Sequence, residues 1–145
     1  WSRSCIFMAD FGLASNGTAI VFSSCVDDRY PPENIIDGND STYWITTGLY
    51  PQQFILQFDG DVKIDRIKTI TTDVRKLKLE RCTEKAPTSF EEIHQVELAH
   101  RGGRVQAESS QISGSPTASF LRVTIESGWD DFATVRRFTI EGSKA

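Results

Sequence analysis

An antiparallel β-sandwich or jelly roll is the fold class this sequence predicts. Three observations carry it. Apolar residues alternate at a spacing of two along most of the chain, turn signals interrupt the runs every ~8–12 residues, and roughly eight short strand-like segments result. At 145 residues the chain fits one domain, 1–145, able to bury about two-thirds of its unfolded surface without external staples. Charged residues make up 25% and hydrophobic ones 39%, the balance of an ordinary globule rather than of a disordered chain. No repeat, linker or low-complexity segment divides it.

Strand-forming runs succeed one another along the chain. Ala19 to Ser23 is a short β-rich run behind the Asn16-Gly17 turn. Gln53 to Phe58 is apolar at its centre and ends at Asp59-Gly60-Asp61, a turn signal. Val62 to Ile70 sets apolar residues at 62, 64, 67 and 70. The step from spacing two to spacing three predicts a β-bulge, because Thr and Ile dominate and no helix cap is visible. Val74 to Glu80 alternates through Leu77 and Leu79. Phe90 to Leu98 reads as a strand or as a helical turn, the latter through a weak capping box of Ser89 with Glu92. Arg101-Gly102-Gly103-Arg104 marks a tight turn, and Val105 to Ile112 is a polar strand near a sheet edge. After the break at Gly114-Ser115-Pro116, Ala118 to Ile125 is the strongest core strand. The loop Ser127 to Asp131 leads to the closing strand, Val135 to Glu141. The basic groups Arg136-Arg137 and Arg75-Lys76 with Lys78 read as solvated strand faces.

The segment Pro31 to Trp44 carries the most chemistry. Pro31 and Pro32 restrict the backbone to an extended or turn geometry. Ile35 and Ile36 plug the core from a short helical turn, and Trp44 buries the far side of the loop. Asp37-Gly38-Asn39-Asp40 is a strong turn signal, since Gly and Asn tolerate positive φ and Asp bonds nearby backbone. Asn34, Asp37, Asp40 and Thr42 bring hard oxygens into one tight loop, the chemistry that Ca²⁺ takes. The alternative is that Asp37 and Thr42 only hold the turn through side-chain-to-backbone bonds.

The same segment resembles the loop of the discoidin-like, galactose-binding-like β-sandwich superfamily, where a phrase of the form A-x-D-G-n-x-x-T-x-W follows the first strand. The longer run PPENIIDGNDSTYWITTGLYPQQFI, Pro31 to Ile55, resembles the intraflagellar transport protein 25 family, whose members are small β-sandwich subunits of the ciliary transport train. The likeness continues at Phe120 to Val123, Asp131 to Val135 and Glu141-Gly142, so it covers a core of about 17–142, with residues 1–10 as an extension. It implies a galactose-binding-domain-like fold and a calcium shell of Asn34, Asp37 and Thr42 completed by Glu141. It further implies a heterodimer with intraflagellar transport protein 27, a Rab-like small GTPase, within complex B, export of signalling proteins from cilia, and a place in the cilium or flagellum and cytoplasm. The family is also named among small heat-shock proteins, but the chain shows no α-crystallin pattern.

Other functions find less support. A net charge of -4 gives no general electrostatic reason to seek nucleic acid or anionic membrane. No apolar run approaches the ~20 residues that a membrane helix needs. A P-loop, GxGxxG, HExxH motif and nucleophile elbow are all missing, so catalysis is not expected. His94 and His100 read as surface histidines, and Asp27-Asp28 and Asp130-Asp131 as loop residues. Cys5, Cys25 and Cys82 are odd in number and lack metal-binding spacing, which points to a reduced intracellular protein; a Cys5–Cys25 or Cys25–Cys82 bridge stays open. The sequons at Asn16 and Asn39 are short enough to arise by chance. Trp1 to Met8 lacks a persuasive signal peptide, and Met8 is a candidate start. Among the loop aromatics Tyr30, Tyr50, Trp129 and Phe132, the last is expected to fill the end of the core, as is Trp44; Tyr50 and Trp129 are equally balanced between core and contact roles. A calcium-stabilised, discoidin-like lectin is the competing class, and a recognition domain of a larger assembly such as a ubiquitin ligase is open on fold alone.

Overall fold

A computed structural model describes residues 9–39, 41–46 and 49–145; the expectations for Trp1 to Met8 and for Asp40 lie outside them. Nine strands run as β1 (Ala9–Asp10), β2 (Ala19–Ser23), β3 (Trp44–Ile45), β4 (Gln52–Thr72), β5 (Val74–Cys82), β6 (Glu91–Glu97), β7 (Val105–Gln111), β8 (Thr117–Gly128) and β9 (Thr134–Lys144) among the described residues. Short 3-10 turns cover Ala14–Asn16 and Pro32–Ile36. Every pairing is antiparallel. One layer runs β2, the first half of β4, β8, β5, β6. The other runs β7, the second half of β4, β9, with β1 and β3 against the far edge of β9. This is the expected sandwich.

The strand β4 departs from expectation. Asp59-Gly60-Asp61 does not reverse the chain; β4 continues from Gln52 to Thr72. Gly60 takes φ 89, and the register against β8 shifts between Gln57 and Val62. A hairpin there would pair the two halves with each other. Instead Gln52 to Gln57 pairs with β8, Val62 and Lys63 pair with both β8 and β9, and the rest to Thr72 pairs with β9, so the turn residues serve as a kink. The predicted bulge in the second half is present, between Ile64 and Arg66.

The remaining differences are local. Phe90 to Leu98 resolves to the strand β6, paired with β5, and not to a helical turn. Among the described residues strand β7 pairs only with β4 and is an edge, as its polarity predicts. Ala9 and Asp10 pair with Gly142 and Glu141, which ties the end of the expected extension to the sheet. Arg136 and Arg137 are half-buried rather than freely solvated, because the segments flanking β9 supply partners for both. Arg136 lies 5.0 Å from the Tyr43 ring centre, and Arg137 Nη2 lies 3.7 Å from Asp10 Oδ2.

Between the layers sits an aromatic spine. Trp44 and Phe54 meet edge-to-face at 5.4 Å, and Phe54 and Phe138 do so at 5.9 Å. Such pairs add about 0.5–1.5 kcal/mol each beyond the area they bury. Trp44 is fully buried, and its indole N–H donates to the Cys25 carbonyl at 2.9 Å, so its one polar atom is satisfied. Cys25 and Cys82 are both buried and are not joined to each other.

Candidate functional site

The Pro31–Trp44 segment folds as its residues dictate. Pro31 is extended at φ -67 and ψ 155, and Pro32 opens the 3-10 turn, where a missing N–H costs nothing. That turn buries Pro32, Ile35 and Ile36. The chain then leaves through Asp37 and Gly38, the latter at φ 75. Asp37 organises the rest of the loop. Its Oδ1 accepts the Asn39 N–H at 2.8 Å, and its Oδ2 accepts the Thr42 hydroxyl at 2.6 Å. The Thr42 N–H reaches the Asn39 carbonyl at 3.2 Å, and the Ser41 N–H reaches Asn39 Oδ1 at 2.9 Å. Asn34 donates to the Tyr43 carbonyl at 3.0 Å and clamps the two ends of the loop.

Asn34, Asp37 and Thr42 therefore share one loop, with Asp37 and Thr42 in contact. Glu141 carries two basic neighbours: Lys68 Nζ lies 3.0 Å from its Oε2, and Arg66 Nε lies 3.8 Å from its Oε1. The loop offers one carboxylate, a hydroxyl, an amide oxygen and backbone carbonyls, a donor set that suits a hard cation of modest affinity. Among the described residues no group of three or more His, Cys, Asp and Glu is placed to hold a metal. A calcium shell here would rest on neutral oxygens around Asp37, and Glu141 would join it only by giving up Lys68 and Arg66.

Three loops meet at one end of the sandwich. Gln52 Oε1 accepts from Ser24 Oγ and Cys25 Sγ, joining the loop after β2 to the start of β4. The Tyr50 hydroxyl donates to the Asp130 carbonyl at 3.0 Å, and the Ala133 N–H donates to Thr46 Oγ1 at 2.9 Å. Burial is the main cause holding the Tyr50 phenol above its ordinary pKa, with Asp73, Asp130 and Asp131 adding to it and a bond with Thr46 opposing it. Trp129 is half-buried. Its indole N–H donates to the Leu98 carbonyl at 2.9 Å, with Arg75 over the ring at 4.8 Å and His100 beside it at 5.1 Å.

Phe132 corrects the sequence reading. It is 55% exposed instead of filling the core, because Ala133 takes the buried position beside Thr46. Tyr30 stacks on Tyr43 at 4.7 Å, with Arg29 and Arg136 over the outer faces of the pair. The phenol of Tyr43 titrates above its usual value, first because it hydrogen-bonds Tyr30 and then through desolvation. Leu49 and Val26 are also exposed, at 91% and 67%. Sequence pattern gave no sign of these two, since an isolated apolar loop residue carries no periodicity.

No family model matches the chain. Relatives do. Intraflagellar transport protein 25 of Chlamydomonas reinhardtii is 41% identical over 135 residues, covering 93% of this chain and 70% of the relative. The chain belongs to the intraflagellar transport protein 25 family. Homologues of intraflagellar transport protein 25 from Homo sapiens and Mus musculus are each 39% identical, and each alignment covers 92% of both chains. Solved structures extend the fold well beyond the family. The family 32 CBM from C. perfringens NanJ, in complex with galactose, superposes with a TM-score of 0.77 at 13% identity over 93% of this chain and 99% of its own. CBM32-3 from a family 31 glycoside hydrolase of Clostridium perfringens gives 0.77 at 17% over 94% and 96%. At such identities the likeness establishes a galactose-binding-domain-like sandwich and nothing about ligand.

Proposed function

We propose that the chain is a structural subunit of intraflagellar transport complex B that forms a heterodimer with a Rab-like small GTPase, intraflagellar transport protein 27. Through that pair it would serve the export of signalling proteins from cilia, moving between cytoplasm and cilium or flagellum. The observation that carries this reading is family membership at 39–41% identity across nearly the whole sandwich. An intraflagellar transport role and an association with the cilium or flagellum follow from those relatives, and the chain is not an enzyme. A preformed β-sandwich suits a scaffold, since little ordering entropy opposes docking onto rigid strands. Nucleotide chemistry would belong to the partner. A lectin reading draws only on the fold, and nothing beyond the fold favours it.

The test is affinity purification of the chain from ciliated cells, with mass spectrometry of the proteins that elute. Near-equal recovery of a Rab-like GTPase together with other train subunits supports the heterodimer. Glycoproteins released by free galactose, with no GTPase, overturn it.

A structural calcium ion belongs to the same reading. Asn34, Asp37 and Thr42 would hold it, with carbonyls of the turn, and the ion would supply positive charge that locks the loop without switching it. Support comes from the shared loop and from the Asp37–Thr42 contact that already gathers two of the donors.

A further inference from the structure

The turn Arg101-Gly102-Gly103-Arg104 lies between β6 and β7, edge strands of opposite layers, and all four residues are exposed. Gly102 and Gly103 take φ 61 and 85, the type I′ pattern in which both central residues are left-handed. The Arg104 N–H closes the turn on the Arg101 carbonyl at 3.2 Å, and Arg104 Nε donates to the same oxygen at 3.3 Å. The two glycines thus answer to the turn alone. The arginines do not, since such a turn asks nothing of its flanking side chains.

Arg101 stands apart from the other arginines. Arg29, Arg66, Arg75, Arg81, Arg122 and Arg137 each face a carboxylate. Arg136 lies over the Tyr43 ring, and Arg104 is tied to the turn by its Nε. The Arg101 guanidinium has no hydrogen bond, ion pair or ring contact among the described residues. Where a Cβ would stand on Gly102 or Gly103 there is no atom within 4 Å, so an approaching surface meets no obstacle.

An unpaired guanidinium beside a backbone bare of side chains is what an arginine methyltransferase needs. Its acceptor must leave the substrate's surface and enter a narrow channel, and neighbouring glycines let the two backbones come close. Drawing out a paired arginine would strand a carboxylate; Arg101 breaks nothing on leaving.

We propose that Arg101 is a methylation site, taking one or two methyl groups from S-adenosylmethionine through an arginine methyltransferase. In each transfer an Nη of Arg101 attacks the sulfonium methyl carbon. The carbon–sulfur bond breaks with its electron pair going to sulfur, and the Nη gives up one proton to the enzyme. The product keeps its positive charge but loses donors, so a two-pronged bond to a partner's carboxylate is blocked. The turn defines this acceptor whether or not the chain pairs with a GTPase.

The experiment incubates the folded chain with an arginine methyltransferase that modifies Arg-Gly-Gly sequences and with S-adenosylmethionine carrying a labelled methyl group. Mass spectrometry then maps the label. A peptide spanning Leu98 to Gln106 shows that the enzyme is active. The expected result is label confined to Arg101, lost in Arg101→Lys and retained in Arg104→Lys. Arg101→Lys removes no contact, so it should melt with the unchanged chain, and lost label then reports a lost acceptor. A lower melting temperature would show that Arg101 has a partner and would sink the proposal. So would an unlabelled folded chain beside a labelled peptide. Label spread equally over the paired arginines, or taken mainly by Arg104, overturns it as well.

Discussion

Gln106 treats Val74 as a neighbouring strand would. Its Oε1 accepts the Val74 N–H at 3.0 Å, and its Nε2 donates to the Val74 carbonyl at 2.8 Å. The same amide takes the Thr71 hydroxyl at 2.9 Å and reaches the Ala99 carbonyl at 2.8 Å, all with Gln106 only 3% exposed. One side chain on β7 thus satisfies backbone groups where β4 turns into β5. Buried N–H and C=O groups without partners are costly, so this amide is structural.

Gln106→Leu keeps the volume and removes every one of those bonds. Leaving the Val74 and Ala99 groups buried and unpaired should cost about 2–4 kcal/mol, lowering the melting temperature by about 10 °C in a domain of this size. Differential scanning calorimetry reads it directly. A shift of under about 2 °C would mean that water replaces the amide.

Gly142 meets the opposite strand with no room to spare. A Cβ there would fall on the Lys63 carbonyl, a backbone atom that cannot step aside. Gly142→Ala should therefore destabilise by about 1–3 kcal/mol through forced separation of β4 and β9. The midpoint of urea unfolding tests this, and an unchanged midpoint would refute the close approach.

The pair of Glu80 and Arg122 sets an acid limit. Two bonds of 2.9 Å join them in a fork, and the Arg122 guanidinium lies 4.2 Å from the Phe90 ring centre. Hydrogen bonding from Arg122 is the main cause holding the Glu80 carboxyl below its ordinary value of 4.5, against some desolvation, with Arg122 and Lys78 charges assisting. A depressed folded pKa stabilises above the unfolded value and is lost as pH falls through the folded one. Glu80→Gln should thus be less stable than the unchanged chain at pH 7 and approach it below about pH 4. A constant difference down to acid pH would assign the effect to packing.

Asp37→Ala separates the metal from the turn. If calcium sits in the loop, the variant should melt lower than the unchanged chain in millimolar calcium and match it closely in chelator. An equal loss in both conditions assigns Asp37 to the turn alone. Glu141→Gln, measured alongside, should leave the calcium response intact so long as Lys68 and Arg66 keep that carboxylate.

Much of the sandwich was legible because its signals are local. Alternation marked β5, β8 and β9, and the spacing step in Val62 to Ile70 marked a bulge that is present between Ile64 and Arg66. Pro31-Pro32 and Ile35-Ile36 announced a buried turn, and Trp44 its anchor. The features that escaped depend on partners distant in sequence. Asp59-Gly60-Asp61 has turn chemistry, yet whether it reverses or kinks the chain is decided by which strands lie alongside each half of β4. The strands β1 and β3 are two residues each, too short for any periodicity. Arg136 and Arg137 looked solvated because Tyr43 and Asp10, which face them, lie about ninety residues or more away in sequence. At the loop, Asn34, Asp37 and Thr42 assemble as their spacing requires, whereas the company of Glu141 is set by β4 across the sheet.

The run of β4 through both layers has a mechanical consequence. Neither face of the sandwich can peel away alone, because the same backbone is hydrogen-bonded into each, to β8 in its first half and to β9 in its second. Tension applied at one sheet is delivered to the other along a covalent chain and not through slippery side-chain contacts. Opening one sheet would therefore load the other, so the two layers are expected to unfold as one cooperative unit.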